Sequence, residues 1–162
     1  MIFVTVGTHP QPFSRLMRAL GPLAALDELV VQHGSAPPPP EAAVAERFLS
    51  AAEVVRLAEE ARVMVMHAGV GSFLVAWRAG HVPVVVPRLH SLGEHVDDHQ
   101  AEISRALAAE GHVIPVWDIA DLEAAVRAAP PRVAPRTASP LAIQQAVRQA
   151  LDGQPVTAFR PA

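Results

Sequence analysis

The chain has 162 residues, 51% of them hydrophobic, and a formal net charge of −3. This length suits one domain with a buried core, and the hydrophobic fraction excludes a disordered or fibrous protein. The negative charge argues against nucleic acid as a partner. The absence of cysteine excludes disulfides and thiolate metal sites. We therefore expect a single domain over residues 1–162.

Neither a leader sequence nor a membrane anchor is predicted. Met1 to Val6 lacks the basic flank and the length of a signal peptide, and no run approaches the ~18 apolar residues of a membrane span. The sequence thus predicts a soluble, cytoplasmic protein. All 13 basic residues are arginines, so a bound phosphate would have to be met by Arg, protonated His, hydroxyl groups or backbone amides.

In the first third of the chain, short apolar runs typical of strands alternate with segments whose apolar residues recur at helical spacing. The predicted elements are a strand at Ile2–Val6, a helix with Phe13, Leu16, Met17 and Leu20 on one side, a strand at Glu28–Gln32, a short strand at Arg47–Leu49 and a helix from Ser50 to about Ala61. Ser50 and Glu53 show the capping-box pattern. Pro37 to Pro40 is interpreted as a stiff spacer, although a PxxP ligand for an aromatic groove has the same composition.

The same alternation continues to the end of the chain. The predicted elements are a strand at Val63–Met66, a helix at Phe73–Ala79 that Gly80 ends as a left-handed cap, a strand at Val84–Val86, a helix from Asp97 or Asp98 to Gly111, a strand at His112–Val116, a helix begun by Asp118 and running through Val126, an irregular segment at about 129–139 and a last helix at about 140–152. This order predicts an α/β fold, a parallel sheet with helices on both faces.

Polar or glycine-rich segments follow four of the predicted strands. They are Gly7-Thr8, His33-Gly34-Ser35, His67 to Ser72 and Pro87 to His99. Parallel α/β sheets bind their ligands at the carboxyl ends of the strands. We therefore expect one shared site that these segments build together.

The turn His67-Ala68-Gly69-Val70-Gly71-Ser72 joins a buried strand directly to a helix. Its glycines let the backbone approach a ligand closely, and a helix N-terminus offers free N–H groups and the positive end of its dipole to an anion. The turn has neither the Lys of the Walker pattern nor the full dinucleotide fingerprint. We interpret it as a phosphate-binding turn; a tight connection without a ligand is the alternative.

The loop before the next helix concentrates titratable side chains. They are His90, Glu94, His95, Asp98 and His99. His95 and His99 are four residues apart and, on one helix face, would resemble a pair of zinc ligands. The preferred hypothesis makes Glu94 and Asp98 acceptors for sugar hydroxyls, with Gln100 adding an amide, and expects no metal.

Several of these segments resemble the C-terminal domain of glycosyltransferase family 28, in particular the stand-alone subunits of bacterial exopolysaccharide clusters. They are His67–Ser72, Ala79–Pro83, Pro87 and Gly93–Gln100, extended by Val4–Thr8 and Gln32–Ser35, so that the resemblance covers about Met1 to Val116. The resemblance implies a Rossmann-like domain, the nucleotide-sugar half of a GT-B fold. It also implies inverting transfer from a nucleoside diphosphate sugar, usually uridine-linked, without a cofactor or an essential metal.

The resemblance also implies roles for individual residues. The diphosphate would be held by His67, Gly69, Gly71 and Ser72, with Gly7 and Thr8 facing it across the cleft. The sugar or ribose hydroxyls would meet Glu94, Asp98, His99 and Gln100. Ala68, Arg88 and His95 complete the predicted substrate-binding set. One departure concerns Val75, since many relatives carry at this position a Glu that binds the ribose.

The sequence as a whole predicts the catalytic subunit of a glycosyltransferase that acts on a lipid-linked acceptor in polysaccharide biosynthesis. No catalytic residue is assigned, because the general base would come from a membrane-anchored acceptor-binding half that also recruits the chain to the inner face of the membrane. Two other classes stay open: a non-enzymatic nucleotide-binding regulatory module, and a metal-dependent hydrolase at His95 and His99.

Overall fold

The computed structural model describes residues 1–133 and 148–149. Within them the strands are β1 (Ile2–Thr5), β2 (Leu29–Gln32), β3 (Val44–Glu46), β4 (Val63–Met66), β5 (Val84–Val85) and β6 (Ile114–Pro115). The α-helices of residues 1–133 are α1 (Ser14–Arg18), α2 (Ala51–Glu60), α3 (Val70–Arg78), α4 (His99–Ala109) and α5 (Leu122–Ala128). Short 3-10 helices lie at Gly21–Ala25, His90–Leu92 and Ile119–Asp121.

In this part of the chain the strands form one six-stranded sheet in the order β3-β2-β1-β4-β5-β6, with every neighbouring pair parallel. The strand order reverses between β1 and β4, which is where α/β sheets bind ligands. The register places Thr5 beside Gln32 on one side and beside Met66 on the other. The ends of three strands therefore coincide and bring the segments that follow them together.

Both faces of the sheet are covered, because alternate residues of each strand point in opposite directions. Val63 and Val65 of β4 belong to a core with α1 and α5, whereas Met64 and Met66 belong to a second core with α2, α3 and α4. Burial on both faces explains why the strands are continuous apolar runs rather than alternating ones. The predicted Rossmann-like α/β fold is confirmed.

The prediction of a strand at Arg47–Leu49 is wrong. The strand lies directly before it, at Val44–Glu46, and pairs with β2. Since β3 is an edge strand, its residues are exposed or half-buried and lack the apolar pattern on which the prediction rested. Phe48, which suggested a strand, is 47% exposed in the connection to α2.

The predicted helix ends are largely confirmed. The Ser50 side chain accepts a hydrogen bond from the Glu53 N–H, and the Glu53 carboxylate accepts one from the Ser50 N–H. Gly80, with a φ of 86°, follows α3 in the left-handed conformation. Asp98 occupies the N-cap position of α4 but makes no capping hydrogen bond with its side chain, which instead accepts from the N–H of His90.

The predicted last helix at about 140–152, and most of the predicted irregular segment at about 129–139, lie outside the described residues. Among those that are described, no helix combines the length and the apolar character needed to cross a membrane.

Candidate functional site

A cleft of about 400 Å³ opens at the carboxyl edge of the sheet, beside the ends of β1, β2 and β4 and the first turns of α2 and α3. It is lined by Thr5, Gly7, Thr8, Gln32, Leu49, Ala51, Val54, Val55, His67, Gly71, Ser72 and Val75. Five residues of the predicted substrate-binding set are among them: Gly7, Thr8, His67, Gly71 and Ser72. Sequence positions far apart thus meet in one place.

The first turn of α3 opens into this cleft. Gly69 is the N-cap, and its carbonyl accepts from the N–H groups of Ser72 and Phe73. The N–H groups of Val70 and Gly71 are the donors that a helix start leaves unsatisfied. A Cβ on Gly71 would meet no atom within 4 Å, so the backbone there is accessible. This helix start, together with the Ser72 hydroxyl, can receive an anion.

His67 follows β4, and its imidazole ring lies between two glycines. A Cβ on Gly7 would come within 2.5 Å of the ring atom Cε1, and a Cβ on Gly69 within 2.2 Å of Nε2. Gly7 also has a φ of 69°, a conformation that favours glycine. These two glycines are therefore needed to make room for the imidazole, whatever the cleft binds.

Burial lowers the pKa of His67 to about 4, and the positive charge of Arg88 acts in the same direction. The ring is therefore neutral at pH 7 in the free protein. Its Nδ1 atom is buried and has no hydrogen-bond partner among the described residues. A neutral imidazole contributes hydrogen bonding to a phosphate rather than a positive charge.

The buried imidazole makes stability depend on pH. In the unfolded chain His67 has an ordinary pKa of 6.5, above the folded value of about 4. The unfolded state therefore binds more protons between these values, and the stability contributed by the neutral ring is complete above pH 6.5 and is lost as pH falls toward 4. We expect the stability difference between the native protein and His67→Asn to change by about 3 kcal/mol across this window.

Urea unfolding at several pH values measures this difference. His81 also has a pKa lowered by burial, but it is present in both proteins and cancels in the comparison. Parallel pH profiles for the native protein and the variant would show that His67 is not buried as a neutral ring.

Arg88 follows β5, and its side chain is completely buried. The guanidinium donates to the carbonyl oxygens of Val6 at 3.2 Å, Gln11 at 2.9 Å and Glu94 at 3.1 Å, and it lies 4.6 Å from the ring centroid of Phe13. Burial lowers its pKa to about 10 while the Glu94 charge opposes that shift, so Arg88 stays charged at neutral pH. It ties the β1–α1 and β5–α4 loops together and does not line the cleft.

Glu94 is occupied by an ion pair within the protein. Arg15 of α1 donates from Nε to Oε1 at 3.0 Å and from Nη2 to Oε2 at 2.9 Å. The Leu89 N–H donates to Oε2 at 3.1 Å, and Glu94 is only 5% exposed. Binding of a sugar hydroxyl by Glu94 stays a prediction, but the structure gives this carboxylate a different task, the attachment of the β5–α4 loop to α1.

Gln100 likewise uses its carbonyl oxygen inside the protein. Oε1 accepts from the Ala68 N–H at 3.2 Å and from the Arg88 N–H at 3.1 Å. The side chain thereby connects the residues that follow β4 and β5. Of its amide only the NH₂ group is left to donate to a ligand, so the predicted contact with sugar hydroxyls has to be made through that group.

His95 and His99 both contact Asp97. Their Nδ1 atoms lie 3.0 Å and 2.9 Å from its carboxylate oxygens, and the hydrogen bond that the exposed His99 donates to Asp97 raises the pKa of His99. The alternative in which the two histidines share a helix face is contradicted, because α4 begins only at His99. Within residues 1–133 no three His, Asp or Glu side chains form a group that could hold a metal.

The other residues that line the cleft do not belong to the predicted substrate-binding set. Thr5 and Gln32 form the buried polar floor of the cleft, with the Thr5 hydroxyl donating to Gln32 Oε1 at 2.7 Å and each residue 2% exposed. A polar residue at the last position of two otherwise apolar strands was the signal for this pair. No comparable signal marks the apolar wall formed by Leu49, Ala51, Val54, Val55 and Val75.

The chain is similar to known glycosyltransferases in sequence and in fold. The family model described as glycosyltransferase family 28 C-terminal domain matches residues 1–131. Among solved structures, the glycosyltransferase SnogD from Streptomyces nogalater is similar to the chain, with 21% sequence identity and a TM-score of 0.42. That alignment covers 95% of this chain and 38% of the SnogD chain, so the chain spans well under half of that protein. No curated protein sequence matches the chain.

Proposed function

Because this chain belongs to the glycosyltransferase family 28 C-terminal domains, we propose that it is the nucleotide-sugar-binding, catalytic half of an inverting glycosyltransferase. The proposed donor is a sugar linked to a nucleoside diphosphate, with uridine as the expected nucleoside. The proposed acceptor is a lipid-linked intermediate of polysaccharide synthesis. The proposal includes no cofactor and no metal.

The observation that carries the proposal is the start of α3. Its first turn, with Gly71 and Ser72, faces a cleft at the point where the strand order of the sheet reverses. The open backbone at Gly71 leaves room for a phosphate group beside the unsatisfied amides. The cleft is also large enough for a small-molecule ligand.

The proposed catalysis depends on stabilising the negative charge that develops on the leaving group. As the glycosidic bond breaks, the bonding electrons pass to the departing diphosphate, and its negative charge grows. Amides and a hydroxyl that are already oriented toward this position stabilise the charge without reorganising. The buried, permanently charged Arg88 adds an electrostatic field that favours the negative charge of the diphosphate, and the neutral His67 ring supplies a hydrogen bond.

The general base and the acceptor site are proposed to belong to a membrane-anchored partner half. Exposed apolar side chains near the carboxyl edge of the sheet support a partner there, namely Phe48 at 47%, Val70 at 43%, Leu92 at 56% and Val96 at 68% exposure. This partner would recruit the chain to the inner face of the membrane.

The requirement for a partner is tested by a transfer assay with a polyprenyl-linked acceptor. We expect turnover only after the partner half is added. Turnover in the mixture also distinguishes an enzyme subunit from a non-enzymatic nucleotide-binding module, which would give none.

The diphosphate site itself is tested by Ser72→Ala. We expect the variant to bind UDP about 1–2 kcal/mol more weakly than the native protein, because one hydrogen bond to a charged group is lost. Calorimetric titration with UDP measures the effect. The matched control is Ser91→Ala, since Ser91 is exposed and does not line the cleft. Equal UDP affinity of the native protein and Ser72→Ala would remove the start of α3 from the site.

A further inference from the structure

A second groove, of about 350 Å³, lies between the edge strand β3 and helix α2. Val44 and Glu46 of β3 both line this β3–α2 groove, because alternate residues of a strand point to the same face. β3 pairs with β2 on one side, and within the described residues no strand lies on its other side. The free side of β3 therefore offers backbone N–H and C=O groups to an added strand.

The β3–α2 groove is apolar in its middle and acidic at its ends. Val30 and Val44 are neighbours in the sheet register and line the middle together with Leu57. Glu28 precedes Val30 by two residues. Glu46 follows Val44 by two residues, and both glutamates line the groove. At about 3.3 Å per residue, the two glutamates are about 13 Å apart along the strand direction.

Helix α2 adds a second glutamate at each end of the groove. Because α2 connects the end of β3 to the start of β4, it runs opposite to the strands, and Glu53 in its first turn lies at the same end as Glu46. Glu60 in its last turn lies at the same end as Glu28 and pairs with Arg56. Glu28 and Glu46 are exposed and form no ion pair within the described residues. Four carboxylates against the guanidinium of Arg56 leave three net negative charges around an apolar middle.

This charge limits what the groove can bind. A second copy of the chain, an anionic lipid surface and a nucleic acid are all repelled, since the chain itself has a formal net charge of −3. A small inorganic cation gains nothing from the apolar middle. A peptide segment that carries positive charge on both sides of an apolar side chain complements every part of the groove.

We propose that the β3–α2 groove binds an extended segment of a protein partner with the pattern basic-x-apolar-x-basic, which adds to the sheet as a strand beside β3. Every second side chain of such a strand faces the groove, so basic residues four positions apart span the ~13 Å between the acidic ends. The apolar residue between them packs on Val30 and Val44. Backbone hydrogen bonds to β3 supply affinity, and the three side chains supply specificity. This partner site goes beyond the glycosyltransferase function and does not depend on it.

The test uses a capped seven-residue peptide with Arg at the second and sixth positions, Val at the fourth and Thr elsewhere. In an NMR titration of the ¹⁵N-labelled chain, we expect saturable binding with a Kd below about 1 mM and shift changes at Val44–Glu46. Replacing both Arg residues of the peptide with Glu should abolish binding, and replacing its Val with Ser should weaken binding by about fivefold or more.

Two further peptides, N-methylated on one or the other alternate set of amides, test the addition of a strand. Alternate amides of an added strand donate to β3, so at least one of these peptides should bind about tenfold more weakly than the parent peptide. Parent-like binding of both would show that the segment does not pair with β3 and would overturn the proposal.

Glu28→Arg and Glu46→Arg reverse the charge at the two ends of the groove, and each should weaken peptide binding by about tenfold or more. The matched control is Glu110→Arg, the same charge change at an exposed residue outside the groove lining, which should alter the affinity by less than about threefold. Spectra without peptide check that each variant is folded.

Four results would overturn this partner site. They are the absence of saturable binding to the native protein, undiminished binding of the Glu or Ser peptide, native-like affinity in either folded charge-reversed variant, and a loss in Glu110→Arg as large as in those variants. No nucleotide takes part in these titrations, so their failure would leave the proposed function intact.

Discussion

Replacing Arg88 with Met is expected to lower the free energy of unfolding by about 3–5 kcal/mol. Met fills much of the volume of the Arg stem, so a large cavity is avoided. The loss comes from the carbonyl oxygens of Val6, Gln11 and Glu94, which accept from the guanidinium at 2.9–3.2 Å. A buried carbonyl that loses its donor costs about 1–3 kcal/mol.

Urea unfolding of the native protein and of Arg88→Met measures this change. Arg56→Met is the matched control, because the Arg56 side chain is 58% exposed and its ion pair with Glu60 lies on the same helix. We expect the control to stay within about 0.5 kcal/mol of the native protein. If Arg88→Met were as stable as the native protein, the three carbonyls would have found other partners in the variant, and the guanidinium would not be what holds the two loops together.

Replacing Gly69 with Ala is expected to displace His67 and disable the cleft. The new Cβ would lie 2.2 Å from Nε2 and 2.9 Å from Cε1 of the imidazole. The ring has little room on its other side, because a Cβ added at Gly7 would itself lie 2.5 Å from Cε1. Gly69 has a φ of −93°, which Ala adopts without strain, so the clash alone is responsible. We expect a destabilisation of about 2 kcal/mol and a loss of UDP affinity of about tenfold or more.

Two comparisons isolate the clash. Gly71→Ala adds the same methyl group two residues later in the chain, where it meets no atom within 4 Å. This variant should be as stable as the native protein, or more stable by up to about 1 kcal/mol. In a His67→Ala background, Gly69→Ala should no longer be destabilising, because the ring that it strikes is gone. If Gly69→Ala were as costly in that background as in the native protein, the cost would arise from the helix cap rather than from the imidazole.

The sequence by itself determined the fold class and the edge of the sheet at which the cleft lies. The runs Ile2–Thr5 and Val63–Met66 are apolar at every residue because parallel strands are buried on both faces. Such a sheet gathers the loops after its strands at one edge, so Gly7-Thr8 and the turn from His67 to Ser72 had to meet there. Local capping chemistry was also readable, as at Ser50 and Gly80, because those hydrogen bonds join residues close in sequence.

The tertiary structure alone decided what the polar residues of the site do. Arg88, Glu94 and Gln100 have the residue types of ligand-binding groups, yet their hydrogen bonds go to other parts of the chain. The partner of Glu94, Arg15, is 79 positions away, and no local pattern specifies such a contact. The edge strand β3 was misplaced for a related reason: pairing with β2 defines it, while its own residues carry no pattern of burial.

The neutral state of His67 also required the three-dimensional structure. Its pKa depends on burial and on the charge of Arg88, and both arise only when the loops after β1, β4 and β5 pack together. The aliphatic wall of the cleft is a further case, since Val54, Val55 and Val75 belong to two different helices. Aliphatic residues on a helix predict burial in general, and only the packing of α2 against α3 shows that these three face a cleft.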